Sequence, residues 1–476
     1  DRRPETGDRR PETGDRRPET GDRRPETGDR RPETGDRRPE TGDRSVFGLA
    51  PEWLLYNGAP VADTLILGHE NERTRLAYIA PAAAHIGVVA GDPAYDRMLL
   101  SRHLRMRYRQ ELGVAPGQIL VTLCTTWSHR SLFGSWPSLF RETLACLPRD
   151  RYRVAGLIHP NTSHGHGEWQ VGTWHADALR AGLLLTGPAE GWQATLIASD
   201  LVIGDHGATT CYGAALDLPV LLAAFPDTDV ARGSVGAILG ATAPRLHRFE
   251  SLATQIHRTI AEYEHGTFDE LRALMSSHPG EAILRLRAEC YSHLGLSVPG
   301  TPPVTPVIPP HFLGAGQRTH TRECAAHTDY AVCTPLSRDA VAIDRYPAGV
   351  DVDRSEATYL DDAFLVAHEN HPWHALTELA PVVITDEPAV GQDARELLDE
   401  TLRRFPSAQV VATNIGETCL VRTRTQITIT ISTADAGIAA IVVYSRLIKG
   451  QTAQGEVAVQ LGSAHTSLFL KGFHSG

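Results

Sequence analysis

The chain has 476 residues, 41% of them apolar and 22% charged, with a formal net charge of −11. That length accommodates two or three domains, no run of about 18 uncharged apolar residues offers a membrane span, and the acidic balance disfavours non-specific nucleic-acid binding. Seven cysteines without a Cys-x-x-Cys pair exclude a zinc ribbon and a disulfide scaffold and point to a reducing cytoplasm. Only Lys449 and Lys471 stand against 44 arginines, the usage of a GC-rich, actinobacterial type of genome. The chain opens on Asp1 with no basic-then-apolar leader, so its start reads as clipped or rearranged.

Residues 1–42 are six copies of Asp-Arg-Arg-Pro-Glu-Thr-Gly. Each copy balances its charges and has no apolar side chain whose burial would offset ordering entropy, so disorder is predicted. The spacing lacks apolar a and d positions, and a proline in every copy excludes a coiled coil. Residues 43–115 mix short apolar runs with helical signals, and Asp96 to Leu112 reads as one helix with arginines on its outer face.

From about 118 the pattern is regular. Apolar runs at 119–127, 154–160, 183–186, 201–205 and 219–225 alternate with helix-length segments near 137–147, 170–182, 191–199 and 208–217. Short continuous apolar strands separated by helices are the signature of parallel βαβ units covered on both faces. An α/β, Rossmann-like, doubly wound parallel sheet is therefore predicted over 116–240, in a domain closed at 249–296 by one or two helices and ending at 297. The proline-rich stretch 298–315 reads as a stiff linker. Residues 316–476 carry strand-like runs at 379–386, 408–413, 425–432, 437–444, 456–461 and 467–470 and a helix at 391–404, an α+β region.

The segment 198–225 is the richest in chemistry. A strand runs into Gly204-Asp205-His206-Gly207, and a helix opens at Ala208-Thr209-Thr210. Small residues there let backbone approach a ligand, and the helix start presents free N–H groups and partial positive charge to phosphate. The same residues also suit a tight strand-to-helix turn with a hydroxyl cap, which any such fold needs.

The pattern strand–Asp-x-Gly-x-x-Thr–helix–x-Pro-Val–strand resembles the donor-binding domain of GT-B glycosyltransferases, nearest the CDP-glycerol glycerophosphotransferase and UDP-GlcNAc 2-epimerase-like branch. Residues 45–296 as a whole resemble an actinobacterial protein group. The resemblance implies that the 205–210 turn holds a donor pyrophosphate. It implies that His159, in Leu157-Ile158-His159-Pro160-Asn161, faces the donor phosphates as general base or electrostatic clamp. Ser128, Arg130, Ser131 and Gly134 then lie on a loop, 125–137, that reaches phosphate. Where such enzymes carry a ribose-binding acid, this sequence has Cys211, Tyr212 and Gly213, the nearest acid being Asp217. Only 43–115 remain for an acceptor domain, which reads as a remnant. The implied activity is transfer of a glycosyl or glycerophosphoryl group from a nucleotide-diphosphate donor, with no further cofactor. The alternatives are a non-catalytic nucleotide- or phosphosugar-binding module and a truncated, inactive protein.

Other patterns carry less. No GxxxxGK[ST] occurs, which excludes a P-loop. His159, His164, His166 and His175 form a polar loop with only Glu168 nearby, so a ligand-facing loop rather than a metal site is expected. His368-Glu369-Asn370-His371 has the wrong spacing for a zincin, and Pro372 blocks the helix. Asp386-Glu387 reads as an exposed turn, and Cys324 and Cys333 as structural thiols.

Overall fold

The structure is a computed structural model that describes residues 49–186, 191–310, 329–350 and 362–474. The repeats at 1–42, Cys324 and the end of the proline-rich stretch lie outside the described residues.

The N-terminal block begins with a hairpin, β1 (Leu55–Tyr56) and β2 (Ala59–Pro60), turned by Asn57-Gly58 with both φ angles positive, at 51° and 80°. Asn-Gly tolerates that left-handed pair better than other dipeptides, which fixes the turn. A parallel pair follows, β3 (Leu65–Leu67) and β4 (Gly87–Val89). The helix Glu70–Ile79 between them starts in a capping box: His69 Nδ1 accepts from Asn71 N, and Glu72 reaches back to His69 N.

The expected single helix over 96–112 is broken into Pro93–Ser101, a 3₁₀ turn Arg102–Leu104, and Arg105–Glu111. Two of its arginines point inward rather than out. Arg105 and Arg109 both pair with Asp200, and they donate to the carbonyls of Ile197, Ala198 and Ser199. The helix Trp192–Ala198 ends there and leaves these acceptors unpaired, so guanidinium groups replace water at a buried terminus.

The five predicted strands form one parallel sheet: β5 (Ile119–Thr125), β6 (Tyr152–Ile158), β7 (Leu184–Leu185), β8 (Leu201–Gly204) and β9 (Val220–Leu222), in the order β7-β6-β5-β8-β9. Every residue of β5 after Ile119 is buried, as a central strand covered on both faces requires. One core packs under helices 93–111, 192–198 and 208–215, and the other under 139–146 and 252–261. Three closing helices follow rather than one or two: Leu252–Ala261, Asp269–Ala273 and Ala282–His293. The described part of the proline-rich stretch is extended and strapped down. Tyr108 Oη donates to Ile308 O at 2.8 Å, Ser101 Oγ accepts from Ile308 N at 3.0 Å, and the Ile308 side chain is buried.

The C-terminal region is a closed barrel of β10 (Asp329–Ser337), β11 (Ala340–Pro347), β12 (Phe364–His368), β13 (Val382–Ile384), β14 (Val410–Ile415), β15 (Thr418–Thr423), β16 (Ile427–Ile431), β17 (Gly455–Leu461) and β18 (Ala464–His474). The run 437–444, read from sequence as a strand, is instead the middle of the helix Ala436–Ile448. Its residues Ile438 to Val443 are buried without a polar side and pack into one core with all nine strands. A second helix, Ala394–Arg404, covers the outer face through Leu398 and Leu402.

The barrel docks where β5 and β6 begin. Arg149-Asp150-Arg151, just before β6, meets Asp329, Arg345 and Asp344 of the barrel in alternating sign. Arg149 Nε lies 3.2 Å from Asp329 Oδ2, Arg345 grips Asp150 with two bonds of 2.9 and 2.6 Å, and Arg151 Nε lies 2.9 Å from Asp344 Oδ1. Arg149 N also donates to Arg345 O at 2.8 Å, and Ser463 Oγ donates to Pro116 O at 3.2 Å.

Candidate functional site

The sheet order places β6, β5 and β8 side by side. The chain leaves β5 to one side for β6 and returns to its other side for β8, so β5 and β8 flank the point where the winding reverses. Ligands of such sheets bind beyond the carboxyl ends of the strands at that point. Three candidate segments open there: 126–134 after β5, His159 after β6, and 205–210 after β8.

Asp205 ties two of them together. Its fully buried carboxylate accepts from Thr126 N at 2.8 Å, Leu132 N at 2.9 Å and Gly207 N at 2.9 Å. Desolvation pushes its carboxyl above the usual carboxylate range, against N–H donors that favour the charged form. Asp205 is therefore a brace for both loops, turned away from the crevice. Ser131 is also spent internally: it caps the helix Leu132–Ser135 by accepting from Gly134 N and donates to Ser128 O at 2.7 Å. At Gly134 a Cβ would fall 2.2 Å from Ser128 O, so the turn closes only on glycine there. Thr210 is buried against Gly204, with Oγ1 lacking a partner among the described residues.

The remaining candidates stay accessible. Ser128, exposed and at φ 99°, and Arg130, paired with Asp229 Oδ1 at 2.6 Å and with Thr228, line the first loop. Gly207 caps the helix Ala208–Ala215 with no side-chain bond, Ala208 is exposed, and Thr209 is half-buried. His206 is half-buried, its ring 6.4 Å from that of Phe225. His159 N donates to Thr125 O at 3.2 Å, which joins the third segment to the first.

His159 directly follows β6, and where a polar loop was expected after the strand it caps the helix Pro160–His166, its Nδ1 accepting from Asn161 N at 3.1 Å. That bond leaves the proton of the neutral ring on Nε2. Burial lowers its pKa from 6.5, so the neutral ring prevails at pH 7 and Nε2–H is a donor. The other histidines disperse. His164 and His166 are exposed, whereas His175 is buried between Phe133 and Phe140, and desolvation lowers its pKa to about 4. Among the described residues, no three His, Cys, Asp or Glu side chains gather as a metal site.

Asp217, the acid nearest the helix in sequence, lies past its far end. There it accepts from Tyr263 Oη at 2.8 Å and Gly266 N at 3.0 Å and pairs with Arg272. Sequence reasoning missed the opposite wall of the crevice. A cavity of about 360 Å³ lies between Ala208, Cys211 and Tyr212 of that helix and the carboxyl ends of β3 and β4, with Gly68, Glu72 and Asp92. Gly91-Asp92-Pro93 was the available signal: Asp92 caps Ala94 N and Tyr95 N, and Pro93 takes the first helical position.

In the barrel, His368 Nε2 lies 3.4 Å from Asp386 Oδ1, and Asn370 Nδ2 donates to Asp386 Oδ2 at 2.7 Å. His371 sits in the turn before the helix His374–Leu379, outside any helix. Cys333 is buried and its pKa is pushed up to about 11.

No protein-family model matches the chain, and no curated protein matches it. Its structure is similar in part to several solved structures. The wall teichoic acid polymerase TagF is 12% identical over 49% of this chain and 57% of that one, with a TM-score of 0.36. A glycosyltransferase from Rickettsia africae is 14% identical over 50% and 63%, with a TM-score of 0.31. The UDP-GlcNAc 2-epimerase from Neisseria meningitidis, bound to UDP-GlcNAc, is 13% identical over 47% and 61%, with a TM-score of 0.30. The chain spans about three fifths of the length of these structures. Among its described residues no helix is long and apolar enough to cross a membrane.

Proposed function

We propose that the chain is a GT-B-like transferase that moves a glycosyl or glycerophosphoryl group from a nucleotide-diphosphate donor. The observation that carries this reading is the meeting of three strand-end segments at the reversal point of the sheet, bound together by Asp205 and the His159–Thr125 bond. The donor diphosphate would lie on the first turn of the helix at 208–210, where N–H groups and the Thr209 hydroxyl stabilise charge that grows as the bond to the leaving phosphate breaks. Ser128 and Arg130 would reach the same phosphates from the first loop. His159, neutral with its proton on Nε2, would serve as a hydrogen-bond donor or general acid toward the leaving diphosphate rather than as a base.

In this reading 43–115 is the remnant of an acceptor-side domain, 116–297 the donor domain and 298–315 a linker to the barrel. In the same reading the protein works in a reducing cytoplasm, which suits the free thiols of Cys124, Cys211, Cys290, Cys333 and Cys419. A binding module without turnover is the second reading. It is favoured by the N-terminal block, whose described parallel sheet has only β3 and β4.

Isothermal titration of the full chain with CDP, UDP and GDP tests the site. Binding of at least one, weakened in Thr209→Val, is the expected result, and no heat from any of the three overturns it. With the bound nucleotide identified, His159→Ala should cut donor turnover more than donor binding. Binding without turnover in the unmodified chain selects the second reading.

A further inference from the structure

The cavity opposite the helix start carries a charge pattern that separates it from the phosphate-binding turn. Among the described residues its lining includes the carboxylates of Glu72 and Asp92 and no lysine, arginine or histidine. Ala208 stands at the boundary: on one side lies the N–H-rich start of its helix, on the other the acidic wall.

Each carboxylate is held in place by part of its own hydrogen-bonding capacity. Glu72 takes Gly68 N at 2.8 Å and His69 N at 3.4 Å, both on Oε2. Asp92 takes Ala94 N and Tyr95 N on Oδ1, and Tyr212 Oη donates to its Oδ2 at 2.6 Å across the crevice. An ionised carboxylate offers about four lone-pair sites, so each retains acceptor capacity. The rest of the lining is apolar, with Val235, Leu274 and Met275. Fixed acceptors on an apolar wall suit a ligand that brings hydroxyl donors and aliphatic C–H surface. A phosphate placed there would meet like charge and no cation among the described lining residues.

We infer that this cavity is the subsite for the non-nucleotide partner, and that it selects an uncharged, hydroxyl-bearing group, a polyol or saccharide, against its phosphorylated counterpart. This rests on the transferase reading and sharpens it, because it disfavours a polyanionic acceptor chain.

Ligand-observed NMR tests it on the full chain, with and without a saturating nucleoside diphosphate. The probes are matched pairs: glycerol against glycerol 3-phosphate, and methyl glucoside against glucose 6-phosphate. The neutral member of a pair should bind at least about tenfold more tightly, equivalent to about 1.4 kcal/mol. Glu72→Gln should narrow that ratio, and Val235→Phe, which fills the cavity, should abolish polyol binding. A nucleotide titration of each variant reports whether it is folded. Equal or tighter binding of the phosphorylated probe overturns the inference, as does the absence of binding by either neutral probe. Failure of nucleotide binding alone, with the polyol preference intact, refutes the transferase reading instead.

Discussion

The parallel sheet and the barrel solve the same packing problem in opposite ways. Both cover β-strands with helices, but the sheet of β5–β9 is open and its winding reverses beside β5. That reversal leaves a crevice which no helix of the described residues occupies. The barrel closes on itself, and its interior is taken up by the helix Ala436–Ile448. A sheet that reverses leaves room for a ligand as a by-product of its topology, whereas a barrel plugged by its own chain does not. Room for a ligand therefore lies in the first region, and packing dominates the second.

Removing charge from the dock tests whether the two regions stand alone. Arg345→Ala leaves Asp150 unpaired in a buried contact, which should cost about 3–5 kcal/mol in chemical denaturation. A loss under 1 kcal/mol would mean that the barrel hardly leans on the sheet. Ile441→Ala empties part of the barrel core and should cost about 2–5 kcal/mol. A much smaller loss would show that the interior is not tightly filled.

The third test concerns pH. His175 has its pKa lowered from 6.5 to about 4, so between those values the unfolded chain binds more protons than the folded one. Stability from this residue is complete above pH 6.5 and falls as pH drops toward 4, by on the order of 3 kcal/mol at 1.36 kcal/mol per unit. His175→Phe should flatten that part of the acid limb in urea titrations, and an unchanged limb would refute the assignment. The smallest effect is at the crevice. Thr209→Val should weaken nucleoside-diphosphate binding by roughly 0.5–1.5 kcal/mol, the size of one net hydrogen bond. If Thr209 serves only the fold, stability would fall slightly and affinity would not change.

The open sheet was legible because its strands are short apolar runs separated by segments of helix length, a contrast that periodicity captures. The barrel was less so. Ile438 to Val443 is buried all round, and a helix with no solvent face loses the amphipathic signature that distinguishes it from a strand. Its strands β10, β11, β12 and β15 fell outside the runs that sequence singled out. The inward turn of Arg105 and Arg109 was likewise invisible, because it answers carbonyls at the end of a helix about 90 residues away. At the candidate site, sequence singled out three turns that the structure brings to one end of the sheet, but not the division of labour within them. Whether Asp205 faces a ligand or braces a loop depends on where Thr126 N and Leu132 N lie, which no local pattern encodes. The acidic wall at Glu72 and Asp92 is assembled from a separate block of the chain.

The alternating contact of Arg149-Asp150-Arg151 with Asp329, Arg345 and Asp344 has a thermodynamic consequence. Drawing the surfaces apart would rehydrate a set of paired charges and a backbone hydrogen bond at once, so the barrel does not swing freely on its tether. Two bodies joined this way share one unfolding equilibrium, and whatever occupies the crevice protects both. A ligand present at about 100 times its dissociation constant adds about 2.7 kcal/mol to folding. That protection should therefore slow hydrogen exchange at the amides of β10 and β11, on the far side of the sheet from the ligand itself.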